Sequence, residues 1–190
     1  VASYPEPAHT THVSVVDGSG IATAMTESLG PSGGSGVVTP GLGFLYATTL
    51  GGYLGPVEPG DRPWSSQSPL IAERAGATAY VLGGAGARRI LSALVQTIVR
   101  LEIDGASTDA ALAAARFHPA GSGWTFELAD VLPATPAALE RVRAAGYDVR
   151  TGPTSTYFAR LNVISLEPET GVLNGAADPR WAWGAAAGPG

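Results

Sequence analysis

Apolar and polar positions alternate through Thr11-His12-Val13-Ser14-Val15-Val16 and again through Ile21-Ala22-Thr23-Ala24-Met25-Thr26-Glu27, with Asp17-Gly18-Ser19-Gly20 between the two runs. Period-two alternation on both sides of four turn-forming residues predicts a hairpin. Thr10 stands at the leading edge of its first strand. A second hairpin is predicted from Leu70–Glu73 and Ala77–Leu82, turning at Arg74-Ala75-Gly76, and its runs are apolar enough for central strands. The period then changes. Ile90, Leu91, Leu94, Val95, Ile98 and Leu101 recur at helical spacing. Gly83-Gly84-Ala85-Gly86-Ala87 connects that helix to the preceding strand as a glycine-rich turn.

Further along, Ser107 is suited to cap a second helix that runs through alanine-rich residues to Ala115. Thr135-Pro136 opens a third, with Leu139 and Val142 on its buried face and Gly146 as terminator. Trp124–Leu128, Tyr157–Leu166 and the run from Val172 read as strands. Between the hairpins, Val37–Thr39 and Leu42–Tyr46 are shorter apolar runs set among glycines. Strands, then helices, then strands predict a layered α+β domain over residues 10–190, rather than alternating βαβ units. Residues 1–9, with two prolines, read as an extended linker.

Composition narrows the function classes. The 190 residues carry a net charge of −5 and only 14% charged side chains, so there is no basic footprint for nucleic acid or an anionic membrane. With no cysteine, thiolate catalysis, iron–sulfur ligation and zinc fingers are excluded. No apolar run reaches the roughly 18 residues of a membrane-spanning helix, and Val1–Pro7 lacks the make-up of a signal peptide. Three histidines without His-Glu-x-x-His spacing predict local hydrogen bonding, not a metal centre.

Three stretches retain chemical interest, each with a plain structural alternative. Thr10 is a strand residue, and it would be a nucleophile if its own α-amine were free to take the hydroxyl proton. The strand, glycine-rich turn and helix start at Gly83–Ile90 offer amide donors for an oxyanion or a phosphate, although the Walker lysine and the third glycine of a dinucleotide fingerprint are missing. Ser65-Ser66, bounded by Pro63 and Pro69, form either a polar turn or a pair of donors for a carboxylate.

In this order and at these separations, the three stretches resemble the small subunit of the γ-glutamyltranspeptidase family. Thr10-Thr11-His12-x-Ser14-Val15-Val16-Asp17 is similar to the family's nucleophile segment, Arg62-Pro63-x-Ser65-Ser66-x-Ser68-Pro69 to its carboxylate loop, and Gly86-Ala87-x-Arg89-Ile90 to its oxyanion turn. Ala115-Arg116-Phe117-His118 and Ala177-Asp178-Pro179-Arg180 match further signatures. The resemblance implies a four-layer αββα sandwich of the N-terminal nucleophile hydrolase type, and a precursor that cuts itself before Thr10. The resulting partner is a large subunit, which supplies an arginine for the substrate carboxylate. No metal or organic cofactor is implied.

The resemblance also assigns roles. Thr10 is the nucleophile, Ser28 supports it, Gly86 and Ala87 hold the oxyanion, and Ser65 and Ser66 fix a substrate carboxylate. The chain departs from the family where an Asn, a Gln and an Asp hold the glutamyl head group. Here the register gives Gly30, Thr49 and Gly52. Each lost charge-assisted hydrogen bond is worth roughly 1.5–3 kcal/mol, so efficient γ-glutamyl or glutathione turnover is not expected. Two other substrate directions suit the loss. One is hydrolysis of carboxyacyl amides such as glutaryl amides. The other is carbon–carbon bond hydrolysis in actinobacterial 4-alkyl-proline antibiotic pathways, which the lysine-free, Ala/Gly/Arg-rich composition suits. Because His9 precedes Thr10, an uncut chain would be a non-catalytic binding or structural subunit.

Overall fold

The computed structural model describes residues 10–30, 33–49, 58–62, 64–121, 123–127, 136–152, 157–182 and 184–188. The expected linker over 1–9, with His9, lies outside the described residues, as do Gly52 and Thr135.

The two predicted hairpins form. β1 (Thr10–Val16) and β2 (Ala22–Ser28) pair antiparallel from Thr10↔Ser28 to Val16↔Ala22. Asp17 closes their turn by accepting from the amides of Ser19 and Ile21. β3 (Leu70–Arg74) and β4 (Ala77–Ala85) turn at Ala75 and Gly76, whose φ values of 52° and 83° match the twist of a tight hairpin. β8 (Arg160–Leu166) and β9 (Leu173–Ala177) extend this sheet in the order β3-β4-β8-β9, antiparallel throughout.

The β1–β2 hairpin packs across one face of the four-stranded sheet. On the other face lie α1 (Arg89–Glu102) and α2 (Thr108–Ala113). Alternation along β4 and β8 sorts side chains between the faces. Tyr80, Leu82, Leu161 and Val163 join Ile90, Leu94, Leu101 and Leu112 in the main core, whereas Gly83, Arg160 and Asn162 face the hairpin. The α+β expectation holds, and this chain builds both β layers and one helical layer of an αββα stack.

A three-stranded sheet carries the rest. β5 (Phe117–Ala120) and β6 (Gly123–Glu127) are antiparallel, and β7 (Asp148–Gly152) joins β6 in parallel after α3 (Pro136–Ala144). A βαβ crossover therefore exists where purely layered order was expected. Neither β5 nor β7 announces itself in the sequence: β5 contains Pro119, and β7 is largely polar. Other boundaries also shift. α2 stops at Ala113, since Ala114 is already extended with ψ 140°. Val37–Thr39 and Leu42–Tyr46 meet in one isolated bridge, Val38↔Leu45. Gly83 and Gly84 are strand residues, so the expected turn shortens to Gly86-Ala87.

Candidate active site

The site begins with the register of the first hairpin. Thr10 faces Ser28 across the strands, and their hydroxyls share a hydrogen bond of 2.9 Å. Ser28 Oγ also accepts from the amide of Gly30 at 3.2 Å, which fixes the serine between the strand end and the following loop. That loop doubles back. Thr48 N–H donates to the carbonyl of Leu29 at 2.8 Å, placing Thr48 and Thr49 against Gly30. Gly30 has φ +82°, and a Cβ there would stand 2.9 Å from Thr48 Oγ1 and 3.3 Å from Thr49 N. Position 30 is therefore closed to a larger side chain unless the loop moves.

His12 anchors the same strand to the sheet beneath. It is buried, with Nδ1 2.7 Å from Thr26 Oγ1 and Nε2 3.0 Å from Ser14 Oγ, so one nitrogen donates and the other accepts. Burial pushes its pKa down to about 4, leaving it neutral near pH 7. The ring lies on Gly83, close enough that a Cβ there would come within 2.2 Å of Cε1. That contact explains why β4 carries a glycine inside a strand. Asn162 on β8 completes the anchor, its Nδ2 donating to the His12 carbonyl at 3.0 Å. Among the described residues no group of histidines and carboxylates is arranged to hold a metal. His118, bonded through Nδ1 to Ser92 Oγ at 2.8 Å, is a local hydrogen-bonding residue as expected.

A cavity of about 350 Å³ opens beside Thr10. Thr10, Thr11 and His12 form one wall; Ala85, Arg160 and Asn162 form another; Trp181, Gly184 and Ala185 of the tail close it. Gly86 and Ala87 follow Ala85 directly. Gly86 approaches Ala159 so closely that a Cβ would lie 2.5 Å from its Cα, and Ala87 adopts φ 51°. Their carbonyls accept the first helical-turn bonds from Arg89 and Ile90, so the following helix starts at this turn.

Asp178, which also lines the cavity, belongs to a buried ionic cluster. Asp178 pairs with Arg116 at 2.6 Å and Arg180 at 3.1 Å and accepts from Leu161 N–H at 3.1 Å. Glu127 accepts from Arg180 and from Arg116 N–H. The motifs Ala115–His118 and Ala177–Arg180 meet here, although they are far apart in sequence. Burial draws the Arg116 guanidinium down to about 10, which leaves it charged.

Thr10, Ser28, Gly30 and Thr49 are thus brought together. Ser65 and Ser66 are not among the cavity-lining residues. Ser65 is exposed and accepts from Gln67 N–H, while the Ser66 carbonyl accepts from Ser68 Oγ. Sequence reasoning passed over Arg160, Asn162 and Trp181. Alternation along β8 was the available signal for the first two.

A hydroxyl residue leading a hairpin strand, packed on a second sheet with helices behind it, defines the N-terminal nucleophile hydrolase fold. The solved γ-glutamyltranspeptidase from Pseudomonas nitroreducens complexed with L-DON has that arrangement, with a TM-score of 0.76 and 26% identity, covering 94% of this chain and 100% of that one. The chain belongs to the gamma-glutamyltranspeptidase family, whose model matches residues 2–188. It is 32% identical over 178 residues to the Acylase ACY 1 proenzyme of Pseudomonas sp. strain V22 and 32% identical over 193 residues to the glutathione hydrolase proenzyme of Escherichia coli K12. These matches cover 90% and 92% of this chain. It spans about a third of those relatives' lengths, 31% and 32% respectively.

Proposed function

We propose that this chain is the nucleophile-bearing part of a threonine hydrolase that acts, through an acyl-enzyme, on a small molecule carrying a carboxylate. The observation that carries the reading is the Thr10–Ser28 hydroxyl pair at the edge of a cavity, in a chain whose relatives are proenzymes. Cleavage of the His9–Thr10 bond frees an α-amine, whose ordinary pKa near 8 suits a general base at neutral pH. The amine takes the Thr10 hydroxyl proton as Oγ1 bonds to the acyl carbon. Ser28 holds the hydroxyl in place, and the amides of Gly86 and Ala87 stabilise the tetrahedral oxyanion. Collapse expels the leaving group with that proton, and water, deprotonated by the same amine, hydrolyses the ester. A large subunit from the same precursor stays associated, supplies the second helical layer and shares the pocket. Ser65 and Ser66 meet the substrate where that subunit closes over them.

The acylase relative supports amide hydrolysis of a carboxyacyl group, and so does the closure of position 30 to the side chain that would hold a glutamyl head group. The glutathione hydrolase relative supports a γ-glutamyl substrate instead. Carbon–carbon hydrolysis in actinobacterial secondary metabolism would proceed through the same acyl-enzyme, and the lysine-free, Ala/Gly/Arg-rich composition suits such a source. Intact-mass measurement with N-terminal sequencing of the full-length protein, followed by assays on glutaryl, γ-glutamyl and ring-opened amino-acid compounds, tests the proposal. The expected mature chain begins at Thr10, and Thr10→Ala abolishes both processing and turnover. A folded Thr10→Ala protein with wild-type turnover overturns the mechanism. An uncut, inactive wild-type protein points to a non-catalytic subunit.

A further inference from the structure

We infer that Arg160 is a specificity determinant of this site: it receives a carboxylate at the far end of the acyl group that Thr10 attacks. The inference rests on the acyl-transfer reading above and concerns what that reading leaves open, the chemistry of the acyl donor. Arg160 opens β8 and pairs with Ala85, and both line the cavity that Thr10 lines. Alternation puts Leu161 and Val163 into the helical core and turns Arg160 and Asn162 toward the hairpin. The arginine therefore stands on the face from which Thr10 is reached.

Its surroundings hold it ready without satisfying it. The guanidinium carbon sits 3.9 Å from the centroid of the Trp181 ring, which fixes the plane of the fork. Nε is buried and has no hydrogen-bond partner among the described residues. Asp178 is near enough to act on Arg160 electrostatically, but its oxygens already serve Arg116, Arg180 and the Leu161 amide. Arg116 and Arg180 take the direct ion pairs of Asp178 and Glu127, and Arg89 adds a further positive charge near Arg160. The arginine that lines the cavity is therefore the one placed to pair with an incoming carboxylate.

An acyl donor suited to this wall is a dicarboxylic monoamide such as a glutaryl amide, with a free carboxylate and no ammonium group. A neutral acyl chain of the same length leaves the cation without a counter-charge. An α-ammonium beside that carboxylate adds a like charge near Arg160.

The experiment compares glutaryl-p-nitroanilide with pentanoyl-p-nitroanilide on the full-length processed protein, wild type, Arg160→Gln and Arg160→Lys. The expected result is a wild-type preference for the glutaryl compound. Arg160→Gln lowers that preference roughly 10- to 100-fold through KM, as expected for one lost charge-assisted pair, and Arg160→Lys restores part of it. An unchanged glutaryl-to-pentanoyl ratio in folded Arg160→Gln overturns the inference. If wild type turns over neither compound, the acyl-transfer reading fails in this substrate class. Thermal stabilisation by glutarate then decides the inference separately. A shift with glutarate but not with pentanoate, lost in Arg160→Gln and retained in Arg160→Lys, supports the anion site; no such difference overturns it.

Discussion

Gly83→Ala tests whether the placement of Thr10 depends on a contact two residues along its strand. The added Cβ would come within 2.2 Å of His12 Cε1, 2.5 Å of Nδ1 and 2.7 Å of Nε2, where ordinary contact needs 3.4 Å or more. The ring must therefore retreat by about 1.2 Å at its nearest atom. It cannot simply swing aside. Both nitrogens are hydrogen-bonded, to Thr26 and Ser14 on the same hairpin, and the His12 carbonyl is held by Asn162 from the sheet below. Relief requires either breaking side-chain bonds that stabilise by roughly 1 kcal/mol each or lifting β1 from the sheet. Overpacking of this kind costs roughly 1–3 kcal/mol in stability. Lifting β1 by about 1 Å also displaces Thr10, and a displacement of that size at a reacting group costs on the order of 100-fold in rate. The assay is melting temperature, the rate of cleavage before Thr10, and kcat/KM on the best acyl substrate. His12→Ala in the same background removes the clash, so the double variant should lose less than the two single losses combined. A Gly83→Ala protein with wild-type stability and turnover, or a strictly additive double variant, refutes the reasoning.

Three further outcomes follow from the same geometry. Ser28→Ala removes the partner of Thr10 Oγ1 and the acceptor of Gly30 N–H; it should cost roughly 1–2 kcal/mol in stability by denaturant titration and slow turnover more than it weakens substrate binding. Glu127→Gln leaves Arg180 and Arg116 short of charge in a fully buried setting, and chemical denaturation should show a loss of roughly 3–5 kcal/mol. The low pKa of His12 has a definite sign: the folded state resists the proton that the unfolded state accepts. This group's contribution is therefore full above about pH 6.5 and is lost as pH falls toward about 4. Melting temperature against pH should show that decline in wild type and a shallower one in His12→Gln; parallel profiles would contradict the assignment.

The parts of this fold legible in the sequence are those in which local chemistry and tertiary contacts ask for the same residues. Asp17–Gly20 and Ala75-Gly76 are turns by composition and in fact, and α1 shows its period because its buried face meets a continuous core. The illegible parts are set by contacts distant in sequence. Gly83 and Gly84 read as a turn because glycine usually marks one, yet both are strand residues cleared of side chains for His12 and for the Arg160 backbone. β5 and β7 depend on pairing with β6, which no periodicity within them records. The site divides in the same way. Thr10 and Ser28 could be placed from motif and hairpin register, whereas Arg160 reaches the cavity only through the pairing of β4 with β8.

That division assigns the two walls of the cavity different kinds of support. The wall carrying Thr10 belongs to a two-stranded hairpin, held to the sheet by His12, Asn162 and side chains that are only half-buried along β2. The opposite wall leads into the Arg116–Asp178–Arg180–Glu127 cluster, which ties α2, β6, β8 and the tail together through buried charges and main-chain carbonyls. Breaking one buried pair leaves an uncompensated charge, so the cluster resists piecemeal loosening. The hairpin is joined by neutral hydrogen bonds, which exchange for water at much lower cost. In the proposed reaction, adjustment of Thr10 during chain cleavage and acyl transfer therefore falls to the hairpin, against a fixed surface that carries Arg160 and Trp181. Glu127→Gln, which removes a partner of Arg180 and not of Arg160, should lower stability while leaving the glutaryl-to-pentanoyl preference of the folded fraction intact. Substitutions at Gly83 or Ser28 should reduce turnover at temperatures where the domain is still folded.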